Sequence, residues 1–150
     1  MSRVLIVAHP DDEAIWFAPE TFDKIIIVFE VFGDGRSSDG RREALREHPL
    51  RDRITRLGLQ ESNFWRDSAK AESHSKNYES LCGYLKTVLM PGPDDEVTTH
   101  GPMGEYQHAD HLLVHKACMA SLNCPVNGKD PVLYRAIRRV YEKHGCWTWH

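Results

Sequence analysis

The sequence lacks three features that would each point to a particular class of protein. Its four cysteines form no Cys-x-x-Cys pair, which argues against a zinc ribbon or a redox motif and favours reduced thiols. No apolar run approaches the roughly 20 residues of a membrane-spanning helix. The net charge of −3, from 19 basic and 22 acidic residues, gives no basic footprint for nucleic acid.

The first residues also lack the pattern of a secretory signal. Met-Ser-Arg leads directly into strand-like residues, with no small-residue cleavage site after them, so we expect a cytoplasmic protein. The hydrophobic fraction of 41% and the charged fraction of 27% are those of an ordinary globular chain. We therefore expect residues 1–150 to form one soluble domain.

Short apolar runs alternate with helical patterns along the chain. Strands are predicted at residues 4–8, 25–32, 62–65, 96–99 and 131–136. Helices are predicted at residues 41–57, 77–90 and 112–122, the first of them bent or split at Pro49. This alternation predicts an α/β fold with a mostly parallel sheet between two layers of helices.

Two polar clusters follow predicted strands. The first places His9, Asp11, Asp12 and Glu13 within five positions, directly after the first strand. The second holds four of the nine histidines in sixteen positions, namely His100, His108, His111 and His115. In open α/β sheets, ligands bind beyond the carboxyl ends of strands, so we expect the two clusters to meet at one rim.

The first cluster admits two interpretations. Asp11 could cap a helix whose dipole favours Asp12 and Glu13. Capping alone accounts for neither His9 nor Pro10, whereas a metal does, because imidazole nitrogens and carboxylate oxygens are both good zinc ligands.

The second cluster indicates the same chemistry without assigning it to particular residues. His108 and His111 share a face if this stretch is helical. Asp110 can hydrogen-bond a histidine ring, as residues behind metal ligands commonly do. The spacing leaves open which of the histidines would bind a metal.

The segment Ala8-His9-Pro10-Asp11-Asp12-Glu13, together with Gly104-Glu105-Tyr106-x-His108-x-Asp110-His111, resembles the PIG-L or LmbE-like family of metal-dependent N-deacetylases. The resemblance implies a single Rossmann-like catalytic domain with a metal at the carboxyl-terminal rim of the strands. The implied ligands of the metal, taken as zinc, are His9, Asp12 and His111. Iron or manganese would suit similar ligands.

The resemblance also implies catalytic and binding roles. Asp11 would be the general base that activates water, and Tyr106 would help to polarise the substrate carbonyl. His108, protonated and paired with Asp110, would stabilise the oxyanion. Arginines on the second helix of this family often hold the substrate. Arg36, Arg42 and Arg46 are the candidates here, with a solvated helix face as the alternative.

The implied reaction is zinc-dependent removal of an N-acyl group, most often N-acetyl, from an amino sugar or a sugar conjugate. Two alternatives stay open: a metal-dependent hydratase or lyase that uses the same residues, and a metal-binding member without turnover. The expected partner is an N-acetylated small molecule, and a homo-oligomer is left open.

The tryptophans are the last candidates. Trp65, Trp147 and Trp149 could stack on a saccharide, because aromatic faces suit the apolar face of a sugar. We favour a place in the core for Trp65, and tail packing or an oligomer contact for Trp147 and Trp149.

Overall fold

The sheet lies at the centre of the fold. The structure is a computed structural model that describes residues 1–128 and 131–147. Within these residues, five strands form one parallel sheet in the order β3-β2-β1-β4-β5. Their bounds are Arg3–Val7 for β1, Lys24–Val31 for β2, Ile54–Gln60 for β3, Glu96–Thr99 for β4 and Val126–Gly128 for β5.

The helices cover both faces of this sheet. They are α1 (Asp12–Trp16), α2 (Asp39–Glu47), α3 (Ala71–Tyr84), α4 (Gly104–Gln107), α5 (Ala109–Ser121) and α6 (Pro131–Lys143). Single 3-10 turns lie at Pro19–Thr21, Arg51–Arg53 and Ser68–Lys70, and a π turn at Leu85–Leu89 extends α3. In the part of the chain that the structure describes, no helix is long and apolar enough to cross a membrane.

Side chains of β1 alternate between two cores, as the pleat of a strand requires. Ile6 packs with Leu81 of α3 and Val114 of α5 on one face. Leu5 packs on the other face with Leu45 of α2. Both β1 side chains are fully buried, which is typical of a parallel strand covered by helices on both sides. The predicted α/β fold is confirmed.

The strand order places a crevice beside β1. The connection from β1 leads to β2 on one side, whereas β4 pairs with the opposite edge of β1, with Ile6 opposite Thr99. The order therefore reverses between β1 and β4, and such a switch point opens a ligand crevice at the carboxyl ends of the two strands. Both polar clusters begin at this point, with His9 after β1 and His100 after β4.

Two predicted strands and one predicted helix are wrong. The third strand is β3, at residues 54–60 and not 62–65, so the predicted helix over 41–57 includes part of it. Helix α2 ends at Glu47 because the next residue, His48, has the extended backbone that residues before proline prefer. The last strand is β5, and residues 131–136 begin α6 instead. Proline is tolerated at the first position of a helix because the backbone N–H groups there have no partner within the helix.

Candidate metal and active site

The first cluster forms a tight turn that its own side chains hold. The carboxylate of Asp12 accepts a hydrogen bond from the backbone N of His9 at 2.8 Å. The carboxylate of Glu13 accepts one from the backbone N of Asp11 at 3.0 Å. Asp11 stands at the N-cap of α1 with φ 94°, and its side chain makes no capping hydrogen bond. Capping therefore does not consume the Asp11 carboxylate, which lines the crevice.

The second cluster depends on an irregular loop between β4 and α5. Gly104 and Glu105 both have positive φ, of 54° and 59°. A Cβ on Gly104 would lie 3.2 Å from the Cβ of His111. A side chain at this positive φ would also strain the backbone, whereas glycine adopts it freely. The loop ends at His108, the N-cap of α5, so His111 lies in the first turn of that helix. This path carries His111 back to the crevice.

Three buried ligand atoms converge where the clusters meet. The Oδ2 atom of Asp12 lies 3.2 Å from Nδ1 of His9 and 3.2 Å from Nε2 of His111. The ligand atoms of the three residues lie within 4.8 Å of one another. The Nε2 atom of His111 is buried and has no hydrogen-bond partner, which is costly unless a cation completes the site. Two imidazoles and one carboxylate also suit an open zinc site, so these residues fit a divalent metal.

A carboxylate behind each histidine fixes its orientation. The Oδ2 atom of Asp110 lies 2.9 Å from Nε2 of His9. The Oε2 atom of Glu105 lies 2.7 Å from Nδ1 of His111. Each carboxylate accepts the proton of the nitrogen that it contacts, which leaves Nδ1 of His9 and Nε2 of His111 with lone pairs for a metal.

The same carboxylates favour protonation of both rings when no metal is bound. Burial opposes the charge, but hydrogen bonds to Asp110 and Asp12 raise the pKa of His9 to about 10. Burial likewise opposes the charge of His111, and Asp12 and Glu105 raise its pKa. A metal must therefore displace protons from the two rings, which ties its affinity to pH.

The carboxylate of Asp11 has the properties of a general base. Burial, and then the neighbouring charge of Asp12, raise the pKa of Asp11 to about 6. A carboxylate with a pKa close to neutrality accepts a proton from water more readily than an ordinary aspartate does.

His108 differs from the expected arrangement. Its Nδ1 accepts a hydrogen bond from the backbone N of Asp110 at 3.1 Å, so the neutral ring carries its proton on Nε2. Burial lowers the pKa of His108 to about 3. The carboxylate of Asp110 lies against His9 instead of the His108 ring, because Asp110 stands one residue inside α5. The contact of Asp110 with His9 thus stands where the resemblance implies one with His108, and burial favours the neutral form of the His108 ring.

His9, Asp11, Asp12 and His108 line a cleft of about 170 Å³. The ring of Trp65 lies 5.2 Å from that of His108 and borders the cleft, with 43% of the residue exposed. The predicted place of Trp65 in the core is therefore wrong. Trp147 packs under Arg138 of α6, whereas Trp149 lies outside the described residues. The lining consists of His9, Asp11, Asp12, Phe32, Arg36, Arg41, Glu61, Trp65, Tyr106 and His108.

Only one of the three predicted substrate arginines reaches this cleft. Arg36 lines it, whereas Arg42 and Arg46 form ion pairs with Asp39 and Glu43 on the solvent face of α2. Because α2 begins at Asp39, Arg42 and Arg46 lie on its solvent face, whereas Arg41 lies toward the cleft. Sequence reasoning missed Arg41, whose guanidinium donates to the buried Glu61 at 2.8 Å.

Sequence reasoning also missed Glu105, although it belongs to the second motif. Its Oε2 atom contacts Nδ1 of both His100 and His111, at 2.9 and 2.7 Å. Burial opposes ionisation, but the two imidazoles lower the pKa of Glu105 to about 2. His100 also accepts a hydrogen bond from the backbone N of Ala8, so both of its nitrogens are engaged. His115 contacts the carbonyl oxygen of His100 and lies behind the site.

Fold and site together define an α/β protein with a buried cluster of two histidines and one aspartate, which could hold a metal ion, at the switch point of a parallel sheet. The profile of the PIG-L family, described as GlcNAc-PI de-N-acetylase, matches residues 4–122. The chain belongs to this family, as the two motifs predict.

A similar curated protein comes from Corynebacterium diphtheriae. It is named 1D-myo-inositol 2-acetamido-2-deoxy-alpha-D-glucopyranoside deacetylase, and it is 27% identical over 143 residues. The alignment covers 75% of this chain and 49% of the relative. The chain therefore spans about half the length of that relative.

Proposed function

We propose that the protein is a metal-dependent hydrolase that removes an N-acyl group, with N-acetyl as its simplest form, from an amino sugar or a sugar conjugate. The observation that carries this proposal is the convergence of His9, Asp12 and His111 beside Asp11, with Nε2 of His111 left without a hydrogen bond. The family and the name of the curated relative support an acetylated amino sugar as substrate.

His9, Asp12 and His111 would hold the metal, and zinc is the ion that suits this donor set best. A divalent metal bound there would supply a Lewis acid for the substrate carbonyl and would lower the pKa of water. Asp110 and Glu105 would keep the two imidazoles in the tautomers that leave the ligand nitrogens free.

Asp11 would take a proton from the attacking water. Its carboxylate borders the cleft beside Asp12, and burial raises its pKa to about 6. The contact between Glu13 and the backbone N of Asp11 holds the positive φ that presents this carboxylate. We expect the water to become a nucleophile toward the carbonyl carbon as its proton moves to Asp11.

His108 and Tyr106 would stabilise the other side of the reaction. The neutral His108 ring carries its proton on Nε2 and can donate it in a hydrogen bond to the developing oxyanion. The ring of Tyr106 lies 5.7 Å from that of His108, where its hydroxyl could serve the same oxygen. As the C–N bond breaks, the leaving amine needs a proton, and the proton that Asp11 has taken from water can pass to it.

The proposal is tested by the release of acetate and free amine from N-acetylglucosamine and from its α-glycoside of inositol. We expect equal amounts of the two products with protein loaded with zinc, and none with His111→Ala, which loses a ligand. Loading with iron or manganese compares the metals. The absence of amine release from fully loaded protein on both substrates would contradict the proposed function.

A further inference from the structure

A second, larger groove adjoins the candidate active site. It has a volume of about 640 Å³ and lies between α1 and α2, on the face of the sheet that α2 covers. Apolar residues form most of its lining: Pro10, Ala14, Phe32, Ala44 and Leu45. Its volume is within the range of small-molecule sites, which are lined mainly by apolar side chains.

Two short side chains keep this groove open. Ala14 on α1 and Ala44 on α2 face it, and both residues are exposed. Leu45, which is buried, and Phe32 form its apolar base. An apolar surface of this kind attracts an apolar group out of water.

Three of the four polar side chains that line the groove, Glu13, Arg41 and His48, already have partners, and the fourth is Asp11 at its border with the cleft. Glu13 is buried and contacts both the backbone N of Asp11 and Nε2 of His48. Arg41 is hydrogen-bonded to Glu61, and its guanidinium lies 3.7 Å from the centre of the Phe32 ring. Polar groups that are satisfied in this way place no demand on a ligand, so the groove offers mainly its carbon surface.

The groove joins the metal cleft at one side only. The two share Asp11, Phe32 and Arg41, whereas His108 and Trp65 line the cleft but not the groove. Charged and polar side chains dominate the lining of the cleft, which suits the polar sugar of the substrate. The acyl chain is the apolar part of such a substrate, and the groove that it can enter past Asp11 offers mainly apolar surface.

We infer that the groove between α1 and α2 binds the acyl chain of the substrate, and that the preferred substrate therefore carries an N-acyl chain longer than acetyl. This inference rests on the proposed function, because it takes the substrate to be an N-acylated sugar whose amide lies beside Asp11. The occupant is an unbranched apolar chain that enters past Asp11 and lies over Phe32 and Leu45.

A series of N-acylglucosamines tests the chain length. We expect kcat/KM for amine release to rise from acetyl through butyryl to hexanoyl, by up to about fourfold for each methylene that becomes fully buried. Equal or falling kcat/KM along the series, in protein that hydrolyses the acetyl compound, would overturn the inference and leave the proposed function standing. A preference for an apolar glycoside of N-acetylglucosamine, with no effect of acyl length, would overturn it too.

A matched pair of variants locates the effect. Ala44→Phe fills the groove from an exposed helical position, and we expect it to lower the ratio of hexanoyl to acetyl kcat/KM by about tenfold or more. Ala120→Phe makes the same change at an exposed position of α5, on the opposite face of the sheet, and should leave that ratio unchanged. The same ratio of hexanoyl to acetyl kcat/KM in both variants would show that the groove does not bind the acyl chain.

A binding measurement tests the groove without turnover. Acetohydroxamic and hexanohydroxamic acids place a chelating group at the metal and a short or long chain beyond it. By calorimetry on zinc-loaded protein, we expect the longer acid to bind at least tenfold more tightly, and Ala44→Phe to abolish most of that gain. If hexanohydroxamic acid has this advantage while no N-acyl sugar is hydrolysed, the groove assignment stands and the proposed function fails. Equal affinity of the two acids overturns the groove assignment.

Discussion

The two segments that build the site reach it by different physical means. Residues 9–13 are close in sequence, and a single residue with positive φ, Asp11, aims the cluster that follows β1. Residues 104–111 need three such residues, Gly104, Glu105 and Gln107, and a carboxylate shared by two histidines. The first segment is therefore a local turn, whereas the second is a network. Substitution of Asp11 in the first should affect the chemistry, and substitution of Glu105 or Gly104 in the second should affect metal binding or stability.

The largest expected effect is on the chemistry of the first segment. Asp11→Asn removes the proposed base but keeps a residue type that tolerates positive φ, so the turn should survive. We expect kcat to fall by about 10²–10⁴-fold, the usual contribution of a positioned base, while metal content is retained. Metal analysis and acetate release measure the two quantities. Asp39→Asn, at an exposed position of α2, is the control, and normal acetate release by Asp11→Asn would show that another group is the base.

The second segment should respond through its metal. In Glu105→Gln, an amide oxygen that faces the two imidazoles leaves the amide NH2 facing the backbone N of Gly101, which now donates to Oε1, and the negative charge is lost, so His111 is held less firmly in its tautomer. We expect metal affinity to fall by about 10–100-fold, as for other partners behind metal ligands. Asp110→Asn affects one imidazole only and should cost less. Competition with a chelator measures both, and Glu43→Gln, a partly exposed carboxylate on α2, should have no effect. A larger loss of metal affinity in Asp110→Asn than in Glu105→Gln would contradict the larger effect expected for the shared carboxylate.

A backbone substitution separates strain from chemistry. Gly104→Ala places a Cβ 3.1–3.3 Å from atoms of Leu112 and His111, at φ 54°. We expect a loss of about 1–3 kcal/mol in the free energy of unfolding, the typical cost of such strain. Gly83→Ala, in α3 with open space around its Cβ, should gain up to about 1 kcal/mol from helix propensity. Urea denaturation measures both, and equal midpoints for the two variants would contradict the difference in strain.

The smallest effects should distinguish neighbouring arginines. Arg41→Ala breaks the ion pair with Glu61 at the edge of the cleft, and we expect kcat/KM to fall by about tenfold. Arg42→Ala removes an exposed pair with Asp39, so activity should be unchanged and stability should change by less than about 1 kcal/mol. A comparable loss of activity in both variants would mean that the solvent face of α2 takes part in substrate binding.

The sequence predicted the elements whose burial is uniform. β1 and β2 are nearly continuous apolar runs, with Glu30 as the charged residue inside β2, as expected for strands that helices cover on both faces. They were found almost to the residue. β3 was missed because it is an edge strand in which half-buried and exposed residues alternate, and Gly58 interrupts its pattern with a φ of 69°. Its apolar positions then resembled a continuation of α2.

The same distinction holds for the site. Residues fixed by short-range spacing, such as His9 and Asp12, could be proposed from their motif and lie together in the structure. Two other features depended on structure that the sequence does not reveal. The role of Glu105 follows from a loop with unusual backbone angles. The choice of Arg41 over Arg42 follows from where α2 begins, and a shift of one residue turns a helical side chain by about 100°.

His100 gives the site a particular kind of rigidity. Its imidazole accepts the backbone N–H of Ala8 and contacts Glu105, so it links the end of β1 to the loop that orients His111. Breaking this link exposes a fully buried ring and separates two central strands. Hydrogen exchange at the Ala8 amide should therefore require global unfolding and not a local opening. Exchange at this amide would then report on unfolding of the central sheet, whereas a metal held by His9, Asp12 and His111 could leave the folded protein through the cleft that His9 and Asp12 line.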